Sequence, residues 1–531
     1  MTGDLSQRAT ARMRTIPFAF RAGFAFYILL TGDLPAGLQG ALFGLPPGAS
    51  GAFSVFILSA LALDALQLAP LLMLARNPVG ILHPLILMVL VWPVINALPY
   101  LDQQFGPLVG LLSGQPAQPP YFTSLPGYPS ASLWWGMATH NGLQIIGLVT
   151  VYVVFTLGRR PRGGPISHRV APPIDRARLR SLMLVIAGAA VLGTIGFVAS
   201  RGGFDSHLQA LAGGRFGALA GMGPLIVLLD IGVIAAIVWL VSVPRDVSNP
   251  IFVAVTLALS TSQFLLNGSR GEALLVIVTL GLAWCLRTGR IPWRAALFAA
   301  PILLAAYGAL TVARSAAWSG TTASVALQRL DARTALATAQ ADTLARATER
   351  GGVPVVIAGF DRSGGPLWGQ TYVAAVLAIV PRAIWKDKPR GPGSTFSILF
   401  LGGEIEGATI PIGMVGEAYW NFGVFGVVLV YALFGWAMRF ALGLYLRNPI
   451  DPFVTTFYVL FVARFQAATE ALVAFQQSLL LLLLIWILHR IISQRRASAP
   501  PALFKNQALW DSPARYPSLM RGRRGRGWHF R

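Results

Sequence analysis

The stretch that decides the fold is GMGPLIVLLDIGVIAAIVWLVSV, residues 221–243, because Asp230 is its one charged residue. A helix needs about 20 mostly apolar residues to cross the hydrocarbon core of a bilayer. Similar apolar runs lie near residues 16–32, 52–75, 78–98, 135–157, 181–199, 250–266, 271–286, 291–312, 423–446, 452–469 and 472–490. Together the twelve runs predict an all-α polytopic membrane protein with about twelve transmembrane helices.

Composition supports the same class of protein. The 531 residues are 55% hydrophobic and 12% charged, whereas a soluble domain carries about a quarter charged residues. The net charge of +22 lies in short loops and the tail rather than on one basic face, which argues against a nucleic-acid partner. The single cysteine, Cys285, excludes an internal disulfide. Because no clean cleavage site follows the first apolar run, we expect no cleavable signal.

The distribution of basic residues predicts an orientation. With the N-terminus inside, Arg76, Arg245, Arg287, the segment 159–180 and the tail all fall on the cytoplasmic side, as the positive-inside rule requires. We expect transmembrane helices 1–9 in residues 1–312 and helices 10–12 in residues 423–492. A large periplasmic loop spans residues 313–422, and residues 493–531 form a basic, disordered cytoplasmic tail. In the loop we expect a helix over 324–350 and a re-entrant or interfacial segment over 371–384.

Several arginines break this rule by falling outside. Arg201 and Arg215 follow the fifth run, Arg270 lies in the turn Asn267-Gly268-Ser269-Arg270-Gly271-Glu272, and Arg314 follows the ninth run. Arginine presents a planar fork of donors that suits phosphate oxygens, so the set suits a lipid pyrophosphate. The alternative is that each arginine forms a local salt bridge or snorkels to lipid headgroups.

The large loop contains three distinctive segments: residues 369–372 (GQTY), 381–389 (PRAIWKDKP) and 416–423 (GEAYWNFG). Together they form a basic, aromatic region that is followed by the carboxylate of Glu417, where the chain is predicted to enter the membrane. The aromatic side chains suit either the interfacial belt of a membrane protein or a stacking surface for sugar rings.

These segments resemble the Wzy-type oligosaccharide repeat-unit polymerases, which include O-antigen and exopolysaccharide polymerases. The resemblance covers roughly residues 180–445 and rests on Asn-Gly-Ser-Arg-Gly at 267–271, Pro-Arg-x-x-Trp-x-x-Lys-Pro at 381–389 and Gly-Glu-x-Tyr-x-Asn-Phe-Gly at 416–423. It implies a bacterial inner-membrane glycosyltransferase with a GT-C-like bundle and a periplasmic loop over the site. Such an enzyme joins repeat units carried on undecaprenyl pyrophosphate, and both termini are expected in the cytoplasm.

The implied reaction displaces a lipid pyrophosphate from an anomeric carbon, which calls for cations on the leaving group and a base for the attacking hydroxyl. The catalytic candidates are Arg270, Glu417, Glu272 and His140. The candidates for binding pyrophosphate and glycan are Arg201, Arg215, Arg314, Arg382, Trp385, Lys386, Lys388, Tyr372, Tyr419 and Asn421.

Each base candidate also has a structural interpretation. For Glu272 the structural interpretation is favoured: it pairs with Arg270 or favours the start of a helix. Glu417 is balanced between the role of base and pairing with a loop arginine, and a local hydrogen bond is favoured for His140. Mid-span Asp64 and Asp230 are interpreted as interhelical partners. A pair between Arg464 and Glu470 is also expected near the last outer turn.

The sequence has no HExxH, CxxC or clustered acidic motif, so we expect no metal or cofactor. The resemblance implies that no nucleotide sugar is used, which fits the absence of a glycine-rich phosphate loop. Expected partners are the lipid-linked oligosaccharide and the bilayer, together with a chain-length regulator and a flippase. Three alternatives remain open at this point: an O-antigen ligase-like transferase, a transporter or flippase of lipid-linked glycans, and a structural subunit of an export complex.

Overall fold

The computed structural model describes residues 14–31, 37–38, 40–41, 48–96, 130–157, 176–213, 218–219, 222–268, 270–345, 352–360, 364–377, 385, 391–401, 412–467, 478–487 and 489. Within these residues the chain is almost entirely helical, as predicted. The helices before the large loop are α1 (Phe18–Thr31), α2 (Ser50–Met73), α3 (Pro84–Asn96), α4 (Ser130–Leu157), α5 (Arg176–Ser200), α6 (Phe204–Gly213), α7 (Gly223–Ser242), α8 (Pro250–Asn267), α9 (Arg270–Thr288) and α10 (Trp293–Trp318). Those that follow are α11 (Ala323–Gln328), α12 (Ala332–Ala345), α13 (Gly352–Ala358), α14 (Gln370–Val376), α15 (Pro392–Leu401), α16 (Gly413–Arg447), α17 (Pro452–Ala467) and α18 (Ser478–Ile487).

Among the described residues, six helices are long and apolar enough to cross a membrane, as expected of a helical membrane protein. They contain the segments Ser50–Met73, Ser132–Leu157, Leu179–Ser200, Gly223–Ser242, Arg270–Thr288 and Gly413–Arg447. Each apolar run of the sequence overlaps a helix among the described residues, but the other helices contain shorter apolar stretches, so the count of about twelve crossings stays a prediction. By its internal contacts the chain divides into residues 1–485, which hold the bundle, and residues 486–531, of which three are described.

A two-residue antiparallel ladder is the one departure from the all-α prediction within the described chain. Strand β1 (Arg14–Thr15) pairs with β2 (Arg76–Asn77), in the register Arg14 to Asn77. The ladder joins the residues just before α1 to those just after α2 by backbone hydrogen bonds. The buried Asn77 side chain donates to the carbonyls of Leu74 and Gly80 at 2.9 and 3.0 Å, which stabilises the turn before α3.

One end of the bundle gathers turns that are far apart in sequence, and it is named here the Arg180 end. Asp246, just after α7, accepts two hydrogen bonds of 2.6 Å from Arg180 on α5. Trp284 Nε1, late in α9, donates to the Pro244 carbonyl at 3.2 Å. Further contacts at this end join Arg287 to Pro449, Tyr458 to Leu82 and His83 to Phe155.

The opposite end is named here the Arg270 end. It holds the α8–α9 turn and the start of α16, because α16 ends beside Pro449 at the Arg180 end. Contacts at this end join His207 to Leu265, Arg270 to Thr311 and Asp205 to Ser324. Among the described turns, those named above that were predicted to face inward thus share one end, and those predicted to face outward share the other.

The core of the bundle relies on small residues at helix crossings. Every residue from Gly232 to Val241 on α7 is buried. Parallel helices α4 and α16 approach closely, because a Cβ on Gly435 would lie 2.9 Å from the Val151 carbonyl oxygen. Glycine at such crossings lets two backbones touch, as is common between helices in membranes.

The large loop differs from its prediction in one place, and a second prediction lies partly outside the described residues. The helix expected over 324–350 is two helices, α11 and α12, and α12 begins where the Asp331 carboxylate accepts the Thr334 amide at 2.7 Å. An aspartate that caps its own backbone starts a new helix, which explains the break. Of the stretch 371–384, the structure describes helix α14 and Leu377, and residues 378–384 lie outside it.

Candidate functional site

Two of the three loop segments singled out in the sequence come together at the Arg270 end. The Thr371 hydroxyl donates to Glu417 Oε1 at 3.0 Å, and Asn421 Nδ2 donates to Thr371 Oγ1 at 2.8 Å. Gly369 N donates to Asn421 Oδ1 at 3.0 Å. We call Gly369, Thr371, Tyr372, Glu417 and Asn421 the Glu417 cluster. Thr371, Glu417 and Asn421 are buried, so these hydrogen bonds form away from solvent.

Backbone geometry explains why the two segments dock. Helix α16 is interrupted at Phe422 and Gly423, and Gly423 has φ 63° and ψ −149°. Helix carbonyls that precede such a break need other donors. The amides of Leu367 and Trp368 supply them, at 3.0 Å from Trp420 O and 3.2 Å from Asn421 O.

Tyr372 completes the cluster by stacking on the ring of Phe422, with centroids 6.0 Å apart and planes 26° apart. Burial raises the pKa of the Tyr372 phenol, and the nearby Glu417 carboxylate and Tyr431 raise it further. The phenol therefore stays protonated at neutral pH. Tyr419, the other aromatic candidate of this region, packs on Phe360 at 5.3 Å.

Arg270 opens helix α9 and is buried. Its Nη1 donates to Thr311 Oγ1 at 2.6 Å, and its guanidinium carbon lies 5.0 Å from the centroid of the Tyr307 ring. Residues 307, 311 and 314 are spaced by four and three, so Arg314 lies on the same face of α10 as the two side chains that hold Arg270. We call Arg201, Arg270 and Arg314 the arginine group.

The third member of this group, Arg201, follows α5 and lies over the ring of Phe197 at 5.0 Å. Phe197 also meets the ring of His207 edge-on at 5.3 Å. His207 Nε2 lies 2.6 Å from the Leu265 carbonyl oxygen, and since a carbonyl only accepts, this nitrogen carries the proton. Burial lowers the pKa of His207; the bond to Leu265 opposes this shift, and Arg201 adds to it.

Helix α6, which carries His207, was not predicted, yet it supports the turn before Arg270. Leu211 on α6 packs against Gly268, which ends α8 with φ 60°. Asp205, in the first turn of α6, accepts the Ser324 amide at 2.9 Å and the Ser324 hydroxyl at 2.7 Å. These hydrogen bonds lower the pKa of Asp205. Helix α6 thus joins the α8–α9 turn to the start of α11.

A partly buried ion pair lies between two apolar helices near the same end. Arg464 Nη2 on α17 is 2.7 Å from Asp230 Oδ1 on α7. The interpretation of Asp230 as an interhelical partner is confirmed. Glu470, the partner expected for Arg464, lies outside the described residues. Asp64 is buried in α2.

The remaining candidate site residues lie outside both the Glu417 cluster and the arginine group, or outside the described residues. His140 Nε2 and Gln144 Nε2 are 2.7 Å apart on α4, which is the local hydrogen bond considered for this histidine. Trp385 is 37% exposed. Arg215, Arg382, Lys386 and Lys388 lie outside the described residues. Among the residues that the structure describes, no three His, Cys, Asp or Glu side chains form a group able to hold a metal ion.

The comparisons with known proteins give no family. No family model, no curated protein and no solved structure matches this chain.

Proposed function

We propose that this chain is a membrane glycosyltransferase that polymerises undecaprenyl-pyrophosphate-linked oligosaccharide repeat units. The observation that supports it most is the joining of residues 369–372 and 416–421 around a buried carboxylate, Glu417, at the end of the bundle that carries the arginine group. The second of these segments belongs to the motif at 416–423 by which the sequence resembles such polymerases. A membrane enzyme for an anionic lipid carrier needs cations and a carboxylate on one side of the bilayer.

In the proposed reaction, the bond between the anomeric carbon of the growing chain and the pyrophosphate oxygen breaks. A bond forms between that carbon and a hydroxyl of the incoming repeat unit, whose proton passes to a base. The leaving group is undecaprenyl pyrophosphate. The arginine group stabilises its negative charge through guanidinium hydrogen bonds, which are strong when both partners are charged.

Two carboxylates compete for the role of base. Glu417 is 1% exposed and accepts the Thr371 hydroxyl, so an acceptor sugar reaches it only after the cluster opens. Glu272, in the first turn of α9, is half-buried and therefore more accessible. A general base must come within hydrogen-bond reach of the proton it removes. Of the two, Glu272 fits the described state better, and Glu417 fits a role in holding the loop.

The proposal includes a topology. The Arg180 end faces the cytoplasm of a bacterial inner membrane and the Arg270 end faces the periplasm, with about twelve crossings in a GT-C-like bundle and both termini inside. A flippase that delivers repeat units and a chain-length regulator are the expected partners.

The test is the lipid-linked glycan profile of a deletion strain complemented with Arg270→Ala, Arg314→Ala or the wild-type chain. The matched control is Arg290→Ala, an exposed arginine at the opposite end. Single repeat units on the carrier, in the deletion strain and in the two variants but not in the control, would support the polymerase. Long polymer retained on the carrier would indicate a ligase, and normal glycans would exclude both activities.

A further inference from the structure

Trp368 has a backbone conformation that its residue type disfavours. The Gln370 amide donates to the Leu367 carbonyl at 3.0 Å, so residues 367–370 form a turn. Both central residues of this turn have positive φ, 49° at Trp368 and 85° at Gly369. Such turns strongly favour glycine, asparagine and aspartate at their centre. Among the described residues, Trp368 is the only one besides glycines with positive φ, and an outlier of this kind points to a function.

The turn keeps this conformation because its backbone is fixed to α16. The Trp368 amide donates to the Asn421 carbonyl at 3.2 Å, and the Gly369 amide donates to Asn421 Oδ1 at 3.0 Å. The Trp368 side chain, by contrast, is 77% exposed. A large apolar ring gains free energy only when it leaves water. Neither the turn nor packing within the chain therefore explains a tryptophan at this position.

The length of α16 places Trp368 at the height of the lipid headgroups. From Val424, just after the break, to Arg447, the helix spans about 36 Å at about 1.5 Å per residue. The hydrocarbon core of a bilayer is about 30 Å thick, and the headgroup layers bring the total to about 40–45 Å. With Arg447 at one boundary of the core, Asn421 and the Trp368 amide bound to it lie in the opposite headgroup layer.

The exposed surface near this turn is mostly apolar. The exposed side chains of α14 are Val373 and Val376, at 49% and 60%, and Gln370 at its first position. On α16, Phe425 follows Asn421 by one helical turn and is 70% exposed. Tryptophan is enriched where hydrocarbon meets headgroups, because its ring is apolar and its N–H can stay hydrated. A sugar-binding site would instead be concave, with several polar groups beside the ring.

We infer that Trp368 is a lipid anchor, whose indole inserts among the phospholipid headgroups at the Arg270 end. Val373 and Val376 contact the same layer, and the partner is the phospholipid bilayer itself. Through its hydrogen bonds to Asn421, the anchored turn holds the Glu417 cluster at the membrane surface. The inference requires only that α16 crosses the membrane, so it holds whether or not the chain is a polymerase.

The test measures membrane depth at position 376 of the full-length protein in vesicles of phosphatidylethanolamine and phosphatidylglycerol. Cys285 is the only cysteine, so the parent protein Cys285→Ala/Val376→Cys carries a single nitroxide spin label. Electron paramagnetic resonance compares its collisions with oxygen, which dissolves in lipid, and with a nickel chelate, which stays in water. Trp368→Asn is the test variant, and asparagine suits the turn, so the protein should fold. Trp368→Tyr, which keeps an interfacial aromatic, is the matched control.

In the parent protein and in Trp368→Tyr, the label should collide often with oxygen and rarely with the chelate. In Trp368→Asn, collisions with the chelate should rise several-fold, because the turn loses its anchor. Equal protection in Trp368→Asn would overturn the anchoring role of Trp368. A label that is open to the chelate in the parent protein would place this face in water and overturn the inference in favour of a water-soluble partner such as a glycan.

A second measurement leaves Trp368 and its turn unaltered. Lipids brominated near the headgroup end of their acyl chains quench tryptophan fluorescence on contact. The fluorescence that Trp368→Phe lacks is the part due to Trp368, and brominated lipids should quench this part more strongly than aqueous iodide does. Stronger quenching by iodide would contradict the inference. Neither readout needs enzymatic activity, so failure of the anchor and failure of the proposed function are distinguishable.

Discussion

Thr371 Oγ1 lies 3.0 Å from Glu417 Oε1 and donates to it across 46 positions of the chain. We predict that Thr371→Val destabilises the protein by about 1–3 kcal/mol, because a hydrogen bond to the buried Glu417 carboxylate is then lost. Thr371→Ser keeps the hydroxyl and should melt close to wild type. Thermal unfolding of the detergent-solubilised protein measures both, and equal melting temperatures for the Val and Ser variants would contradict the prediction.

The break in α16 gives a second prediction. At Gly423, with φ 63° and ψ −149°, the backbone occupies a region that is almost confined to glycine. Gly423→Ala should therefore cost about 1–3 kcal/mol and loosen the contact of residues 367–368 with α16. The matched control is Gly443→Ala on the same helix, where a Cβ would meet nothing within 4 Å. Protease sensitivity of residues 364–377, read by mass spectrometry, should increase only in the first variant.

The depressed pKa of His207 predicts a pH dependence of stability. The unfolded chain takes up a proton below the ordinary value of 6.5, whereas folded His207 resists it, so the unfolded state binds more protons. This contribution to stability is complete above pH 6.5 and declines as the pH falls below it. Melting temperatures at pH 7.5 and 5.5 should differ less in His207→Gln, which keeps a donor for Leu265, than in wild type. Identical pH dependence in the two proteins would show that His207 does not titrate on unfolding.

At the Arg180 end, Asp246 is held by Arg180 and by Trp239 Nε1, which donates to it at 2.7 Å. Arg180→Ala leaves a buried carboxylate without its charged partner and should lower the melting temperature clearly. Arg180→Lys keeps the charge but cannot form the bidentate hydrogen bond, so its melting temperature should lie between those of Arg180→Ala and wild type. Arg290→Ala, an exposed change at the same end, should have no measurable effect. Equal melting temperatures for Arg180→Ala and Arg290→Ala would show that the Arg180–Asp246 pair contributes nothing to stability.

The helices of the bundle could be predicted because long apolar runs admit few structures in a membrane. Helix α6 could not, since its ten residues FDSHLQALAG are too few and too polar to stand out between flanking glycines. The break at Asp331 escaped prediction because aspartate is tolerated within helices as well as at their starts.

For the site, the sequence indicated Glu417, Arg270 and their segments, but not how they are held. The docking of residues 367–368 on α16 uses backbone amides and carbonyls, which every residue carries, so no side-chain pattern marks it. Thr371 and His207 act through long-range hydrogen bonds, and those partners become visible only in three dimensions.

The ion pair between Asp230 and Arg464 also bears on how the protein is made. The two residues are 234 positions apart, so a ribosome delivers Asp230 to the membrane long before Arg464 exists. During that interval the carboxylate lacks this partner, and the nascent bundle cannot close around it in its final form. A chain truncated before α17 would stay in that state, so membrane proteases should remove it much faster than the full-length protein.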